Sequence, residues 1–361
     1  MVTTTDLGHF IGGPYLLRDG TNNSISNPLI PSPGLYLATI YLSGGGFQTY
    51  GGNARGFEAT DLQVSRSAAT QVASGLRAVI GGGSTNTASA PNATIGGGGA
   101  NNASNAYATI AGGQDGIASG GNATIGGGGN NTASATYATV GGGTNNNATG
   151  DQSAVGGGGG NTAGPGANAT VAGGSGNTAS AEASGVAAGA SNTVASQNGF
   201  IGGGQLNGIS STVTYGLIGG GYQNSIGGGA TDFNSIGGGD RNEITVASNA
   251  TISGGSQNQT TGGYASTGGG RFNVIAGDYG TISGGQSNQV GLTGGTVGGG
   301  ESNNASGVDS VVTGGFQNSA TASYSGVLWG DTNTASGTYS AAGGRGSSAS
   351  EIDAIAFGRL S

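Results

Sequence analysis

The sequence predicts an all-β protein built as a parallel β-solenoid of about 19 coils, with about 15 residues in each coil. Three observations support this fold class. First, an apolar residue followed by glycines and an asparagine recurs nineteen times between Ile80 and Phe357. Second, fourteen of the eighteen intervals are 15 residues long, and the others are 16, 17, 18 and 16. Third, glycine supplies 86 of the 361 residues without the three-residue period of collagen. Since 15 residues cannot form a domain, each repeat is one coil stacked on copies of itself.

The apolar residue of each repeat, called the anchor and numbered position 0, defines the coil. The anchors are Ile80, Ile95, Ile110, Ile125, Val140, Val155, Val171, Val186, Ile201, Ile218, Ile236, Ile252, Thr267, Ile282, Val297, Val312, Val327, Ala342 and Phe357. At position +8, sixteen of eighteen coils carry Ala, Val or Ile, with Thr260 and Ser350 as the exceptions. Alternation places positions −2 and 0 on the inner face and positions −3 and −1 on the outer face. Each coil is therefore predicted to contain two short strands around a narrow core. At a strand spacing of 4.7–4.9 Å, nineteen coils would extend roughly 90 Å.

Positions +2 and +3 are glycine in nearly every coil, as in Gly82 and Gly83. Glycine adopts a positive φ without a Cβ penalty, so this pair is predicted to form a tight corner. A phosphate-binding loop is disfavoured, because no Gly-Lys-Ser/Thr sequence follows and the pattern recurs in every coil.

Position +6 is asparagine in sixteen of eighteen coils, with Gly116 and Ser348 as the exceptions. Asparagine tolerates the left-handed conformation and bonds to local backbone, and amides stacked in register can form a ladder. Several asparagines, including Asn92 and Asn122, lie in Asn-x-Ser/Thr sequons, whose regularity indicates turn chemistry rather than glycan attachment. The predicted structural ladder begins with Asn86, Asn101, Asn131, Asn146, Asn161, Asn177, Asn192 and Asn207.

The four longer coils gain their extra residues between position +8 and the next anchor, at 164–168, 210–216, 227–234 and 245–249. One corner of the solenoid is therefore predicted to take every insertion. Such insertions are either variable binding loops or neutral additions.

Position −3 is aromatic in eight coils. An outward row of aromatic side chains is predicted to be covered by a partner, because exposed apolar patches are uncommon on monomers. A subunit interface is the preferred interpretation, and a platform on which sugars stack is the alternative. The eight residues are Tyr107, Tyr137, Tyr215, Phe233, Tyr264, Tyr279, Tyr324 and Tyr339.

Charge and composition exclude several classes of function. The chain has 8 basic residues, all arginine, and 16 acidic residues, so its net charge of −8 disfavours binding to nucleic acid or anionic lipid. It has no cysteine, which excludes disulfides and thiolate metal sites. No apolar run approaches the ~20 residues of a membrane span, and the first residues lack the pattern of a signal peptide. No cofactor is predicted.

The chain divides by composition into three regions. Residues 1–50 contain four of the six prolines and are predicted to form a small non-repeat module for attachment or capping. Residues 51–75 are a transitional lead-in, and residues 76–361 are the Gly/Asn-rich solenoid. The last anchor lies four residues from Ser361, so we expect either that another domain or chain covers this end of the solenoid or that the chain continues past Ser361.

The repeats resemble the head repeats of trimeric autotransporter adhesins, and resemble still more the related repeats of bacteriophage and virus fibres. The phrases that carry the resemblance are Tyr107-Ala108-Thr109-Ile110, Tyr137-Ala138-Thr139-Val140-Gly141-Gly142-Gly143 and Asp353-Ala354-Ile355-Ala356-Phe357-Gly358. It covers about residues 70–361. The resemblance implies a left-handed β-roll and a homotrimer of chains packed side by side.

The resulting functional prediction is a non-enzymatic fibre protein on the surface of a virus or phage particle. It would be a homotrimer, attach to other virion proteins through residues 1–50, and contact a receptor or glycan on the host surface. The chain lacks the secretion signal, heptad stalk and membrane barrel of a complete bacterial adhesin, so an adhesin head fragment is the alternative. A polysaccharide-degrading tailspike using Asp232, Asp240 or Glu243 is a weaker alternative. A solenoid that binds ice through the threonines at position −1 is another.

Overall fold

The computed structural model describes Asn53 and residues 55–358. Within these residues the protein is all-β, with no helix, and forms a parallel β-solenoid. The predicted fold class is therefore confirmed. The proposed attachment module at residues 1–50, which includes the single histidine His9, lies outside the described residues. Handedness and trimeric state stay predictions.

The first sheet has one strand from each of twenty coils, and almost every strand is two residues long. The twentieth coil comes from Thr60–Asp61, which precedes the nineteen anchors. The strands are Thr60–Asp61, Val79–Ile80, Thr94–Ile95, Thr109–Ile110, Thr124–Ile125, Thr139–Val140, Ala154–Val155, Thr170–Val171, Gly185–Val186, Phe200–Ile201, Leu217–Ile218, Ser235–Ile236, Thr251–Ile252, Ser266–Thr267, Thr281–Ile282, Thr296–Val297, Val311–Val312, Gly326–Asp331, Ala341–Arg345 and Ile355–Phe357.

The second sheet has eighteen strands, which begin at position +7 of each coil except the last, where the strand begins at +6. They are Thr87–Ala88, Asn102–Ala103, Ile117–Ala118, Thr132–Ala133, Asn147–Ala148, Thr162–Ala163, Thr178–Ala179, Thr193–Val194, Gly208–Ile209, Ser225–Gly227, Glu243–Thr245, Gln259–Thr260, Val274–Ile275, Gln289–Val290, Asn304–Ala305, Ser319–Ala320, Thr334–Ala335 and Ser348–Ala349.

Stacking is parallel and in register along both sheets. In the first sheet Ile95 pairs with Ile80 and Ile110, and in the second sheet Ala103 pairs with Ala88 and Ala118. A third strip of single-residue bridges runs through position +4 of successive coils. Each coil is therefore bound to its neighbours along three strips.

Positions −2, 0 and +8 form the core, as alternation predicts. Ala93, Ile95 and Ala103 of one coil are fully buried, and the equivalent residues repeat along the solenoid. Because the inward residues are small or β-branched, each coil has room for only three or four of them, and the core is a narrow column.

The last coil differs from the prediction. The register shifts between Val327 and Gly330, and the next coil is one residue shorter, so Ala342 pairs with Ala356 rather than Phe357. Ala349, which is 2% exposed, fills the core position that the 15-residue spacing assigns to Ser350. The anchor assignment of Phe357 and the polar exception at Ser350 are therefore wrong, because burial favours the alanines.

Two threonines interrupt the aliphatic series at positions 0 and +8. Thr260 and Thr267 are both fully buried, and their Oγ1 atoms lie 3.2 Å apart within hydrogen-bond distance. The apolar core consists of one cluster from Ala73 to Ile252 and a second from Ala265 to Ala349. The sequence marks Thr260 as an exception and includes Thr267 among the anchors, and the structure shows that each hydroxyl is the partner of the other.

Candidate functional site

The glycine corner separates into two positions with different steric requirements. Gly143, at position +3, has a φ of 88°, and a Cβ atom there would lie 2.1 Å from the carbonyl oxygen of Gly158 in the next coil. A Cβ on Gly142, at position +2, would have no atom within 4 Å. Position +2 accordingly accepts Ala188 in another coil, whereas position +3 is glycine in every coil from Gly83 to Gly330. The corner therefore requires glycine only at +3.

The asparagines at position +6 are buried and connect successive coils. The Nδ2 atom of Asn146 donates to the carbonyl oxygens of Gly142, at 2.9 Å, and of Gly158 in the next coil, at 3.0 Å. Its Oδ1 atom accepts the backbone N–H of Asn161 at 3.0 Å. Each side chain thus closes its own glycine corner and holds the corner above it. The same pair of Nδ2 bonds is made by all eight asparagines of the predicted ladder: Asn86, Asn101, Asn131, Asn146, Asn161, Asn177, Asn192 and Asn207.

The continuity of this ladder comes from side chain to backbone bonds rather than from amide stacking alone. Direct Nδ2 to Oδ1 bonds occur in a few steps, such as Asn207 to Asn192 at 3.0 Å. At Gly116 the backbone N–H still donates to Asn101, at 2.9 Å, but there is no side chain to continue the chain of bonds. The ladder ends at Ser347, one residue before the predicted Ser348, because the last coil is short.

The first coil carries a polar cap. Asp61 occupies an anchor position, and its buried carboxylate lies 3.2 Å from Arg55 Nε and 2.9 Å from Arg66 Nη2. Gln63 begins the asparagine ladder, since its Oε1 accepts the backbone N–H of Asn86 at 2.8 Å. Sequence reasoning missed this coil because its anchor is charged. The only signal was Gln63, which lies two residues after Asp61 and has the same carboxamide as asparagine.

A second ion pair near the cap lies at the surface. Arg77 Nε donates to Glu58 Oε2 at 2.6 Å, and this hydrogen bond raises the pKa of the Arg77 guanidinium.

The eight aromatic residues at position −3 lie together on one corner, which we call the aromatic corner. They precede the first-sheet strands and lie in turns rather than strands, each with a φ between 55° and 60°. The alternation of inner and outer positions therefore predicted their outward direction correctly. It was wrong to place them in strands, because they lie in turns. Their side chains are between 49% and 61% exposed. They are Tyr107, Tyr137, Tyr215, Phe233, Tyr264, Tyr279, Tyr324 and Tyr339.

Six of these rings form stacked pairs between adjacent coils. Tyr215 and Phe233 have centroids 4.8 Å apart, Tyr264 and Tyr279 are 5.1 Å apart, and Tyr324 and Tyr339 are 4.9 Å apart. The planes of each pair are within 7° of parallel. Stacking covers one face of each ring and leaves the other face available to a ligand or partner. Tyr107 and Tyr137 are separated by one coil.

The carboxylates considered for catalysis lie on different strips of the solenoid. Asp232 bridges Thr214 at the insertion corner, Asp240 lies in the strip of single-residue bridges, and Glu243 begins a strand of the second sheet. Their side chains contact different groups: Asp240 accepts from Arg241 and Ser256, and Glu243 accepts from Gln259.

The insertion corners contribute to the core. Val213, Ala230 and Ala247 lie in three of the four insertions, and each is buried. Each of these three insertions therefore places one apolar side chain in the core, while neighbouring residues such as Val246 are exposed.

Two further observations concern residues 55–358. They include no group of three or more His, Cys, Asp or Glu residues arranged to hold a metal ion. No helix in this part of the chain has the length and apolarity needed to cross a bilayer.

No protein-family model matches the sequence, and no curated protein is significantly similar to it.

Proposed function

We propose that this protein is a structural and recognition fibre on the surface of a virus or phage particle, in which three copies assemble side by side and contact the host cell. The observation that carries the proposal is the exposed aromatic corner on a long parallel solenoid. A stack of in-register coils displays the same side chain at regular intervals, which suits a rigid projecting element. Exposed aromatic rows favour contact with a partner. Residues 1–50 would attach the fibre to other virion proteins.

The assembly is tested on the full-length protein by light scattering coupled to size-exclusion chromatography. We expect a mass of three times the chain mass of 33.9 kDa. A stable monomer across the micromolar range would contradict the trimer.

The location is tested with an antibody raised against the solenoid. Immunogold labelling should decorate projections on virus or phage particles in electron micrographs. Labelling of bacterial cell surfaces without particles would instead support the adhesin head, the second candidate function.

A further inference from the structure

The aromatic corner contains two gaps that are one coil tall. In three successive coils position −3 is occupied by Tyr107, Asn122 and Tyr137, and the order Phe233, Asn249 and Tyr264 occurs in three others. Rings in adjacent coils of this corner stack 4.8 to 5.1 Å apart. Two coils at the strand spacing of 4.7–4.9 Å therefore place the flanking rings about 10 Å apart. We call these two gaps the slots.

Each slot has the height of one additional ring. A guest midway between the flanking rings would lie about 5 Å from each, within the 4.5–7 Å range of favourable ring stacking. Tyr107 and Tyr137 have the same backbone φ of 59° and nearly the same exposure, 58% and 59%. The intervening asparagine is too short to fill the space between them.

The floor of each slot is neutral and carries side-chain groups that can donate and accept hydrogen bonds. It is the same tripeptide in both cases, Asn122-Ala123-Thr124 and Asn249-Ala250-Thr251. The central alanine is fully buried in both, so the amide and the hydroxyl lie on the outer surface of the coil. Amide and hydroxyl groups between two aromatic faces match a ring that has apolar faces and a rim of hydroxyl groups. A nucleotide is a poor guest, because the net charge of −8 disfavours the approach of its phosphate.

We propose that each slot binds one pyranose ring of a neutral glycan between its two aromatic side chains. The inference rests on the proposed function only for the biological source of that glycan. The flanking rings stack on the two faces of the sugar, and the asparagine and threonine bond to its hydroxyl groups. The same tripeptide at Asn168-Ala169-Thr170 is flanked by Gln152 and Ala183 instead of rings, so it lacks a slot and provides a matched control.

The test uses full-length protein produced in a bacterial host, with methyl glucopyranosides and methyl galactopyranosides as probes. Saturation-transfer NMR should show transfer from the wild-type protein to at least one probe. Asn122→Tyr combined with Asn249→Tyr fills both slots with a residue that this corner already carries in seven coils. We expect this variant to reduce the transfer at least tenfold, and Asn168→Tyr to leave it unchanged.

Three outcomes would overturn the proposal. They are the absence of transfer from the wild type, transfer that survives the filled slots, and equal loss in the Asn168→Tyr control. Light scattering of the same samples separates the slots from assembly. If filling the slots lowers the oligomeric mass, they hold a ring from a second copy, and the glycan proposal fails. If a trimer forms but binds no probe, only the slot proposal fails; if a monomer binds the probes, only the trimer fails.

Discussion

Each coil with its anchor between Ile80 and Ala342 contains at least three residues with a positive φ, and these residues differ in the space around the side chain. In one coil these are Tyr137, Gly143 and Asn145, at φ values of 59°, 88° and 58°. Tyr137 and Asn145 extend their side chains into solvent, so a Cβ costs only backbone strain there. Gly143 faces the carbonyl oxygen of the next coil, so a Cβ would add a clash to that strain.

We therefore predict opposite outcomes for two neighbouring substitutions. Gly143→Ala should lower the free energy of unfolding by about 3 kcal/mol or more, from left-handed strain and overpacking together. Gly142→Ala, the matched control, should be neutral or stabilising by up to about 1 kcal/mol, because it restricts the unfolded chain. Chemical denaturation of both variants checks this. Equal destabilisation by the two would show that the close contact at Gly143 is not the limiting factor.

The buried threonine pair makes a prediction of the same kind. Thr260→Val or Thr267→Val alone should cost about 1–2 kcal/mol, because each leaves a buried hydroxyl without its partner. The double variant replaces both by apolar side chains of the same shape and should be near neutral or stabilising. A double-mutant cycle measures the coupling. Additive costs would mean that the two hydroxyls do not depend on each other.

At the scale of the element, the asparagine ladder is what joins one glycine corner to the next. Each buried amide donates to the carbonyl oxygen at position +2 of its own coil and to the one at position +3 of the next coil. The second oxygen, as at Gly158, also accepts the backbone N–H of Thr144, so the amide adds a second bond there. Gly116 is the one position in the interior of the ladder where this side chain is missing. No asparagine therefore links the coil of Gly116 to the coil that follows it, whereas Asn101 still links it to the coil before.

Gly116→Asn should therefore repair the ladder. By the pattern of the neighbouring coils, its Nδ2 would reach the carbonyl oxygens of Gly112 and Gly128, and its Oδ1 would accept the N–H of Asn131. We expect a stabilisation of about 2 kcal/mol from these bonds and from the reduced entropy of the unfolded chain. Gly116→Ala is the control, since it changes the entropy without adding bonds. If thermal denaturation gives the two variants the same midpoint, the added amide makes no bonds.

The sequence predicts most of the coil but not its ends. The regular anchors reveal the period, and the small inward residues reveal the core. This works because the buried positions recur at the same 15-residue spacing as the sequence repeat. The last coil is misassigned because one residue is lost near Gly343, and a fixed spacing cannot show which residue has gone. The aromatic corner is assigned to a strand because outward direction alone does not distinguish a strand from a left-handed turn. The slots depend on which residues occupy position −3 in three successive coils. They become visible only when neighbouring coils are compared with each other.

At the scale of the whole molecule, the described solenoid begins with a polar group at the base of its core. Asp61 replaces the usual aliphatic anchor, and its side chain is 2% exposed, between Arg55 and Arg66. A buried carboxylate with two guanidinium partners and a backbone donor, the N–H of Ala73, ends the apolar column without exposing it.

Asp61→Asn should loosen this end selectively. Removing the charge leaves two arginines without their partner, which we expect to cost about 3 kcal/mol. Because each coil contacts only its neighbours, hydrogen exchange should accelerate over the first coils and stay unchanged beyond residue 268. Glu58→Gln removes the exposed pair with Arg77 and should leave stability nearly unchanged, because solvent screens exposed ion pairs. Uniform acceleration along the whole solenoid would contradict a local cap.

The paired threonines also determine how the solenoid unfolds. In a linear stack of repeats, cooperativity passes through the contact between each coil and the next. At Thr260 and Thr267 that contact is a hydroxyl pair instead of aliphatic packing, so the two apolar clusters are coupled less strongly to each other than internally. We therefore expect the solenoid to unfold as two cooperative units in series. Partial unfolding under force or denaturant would stop at this junction, with one unit open and the other still folded.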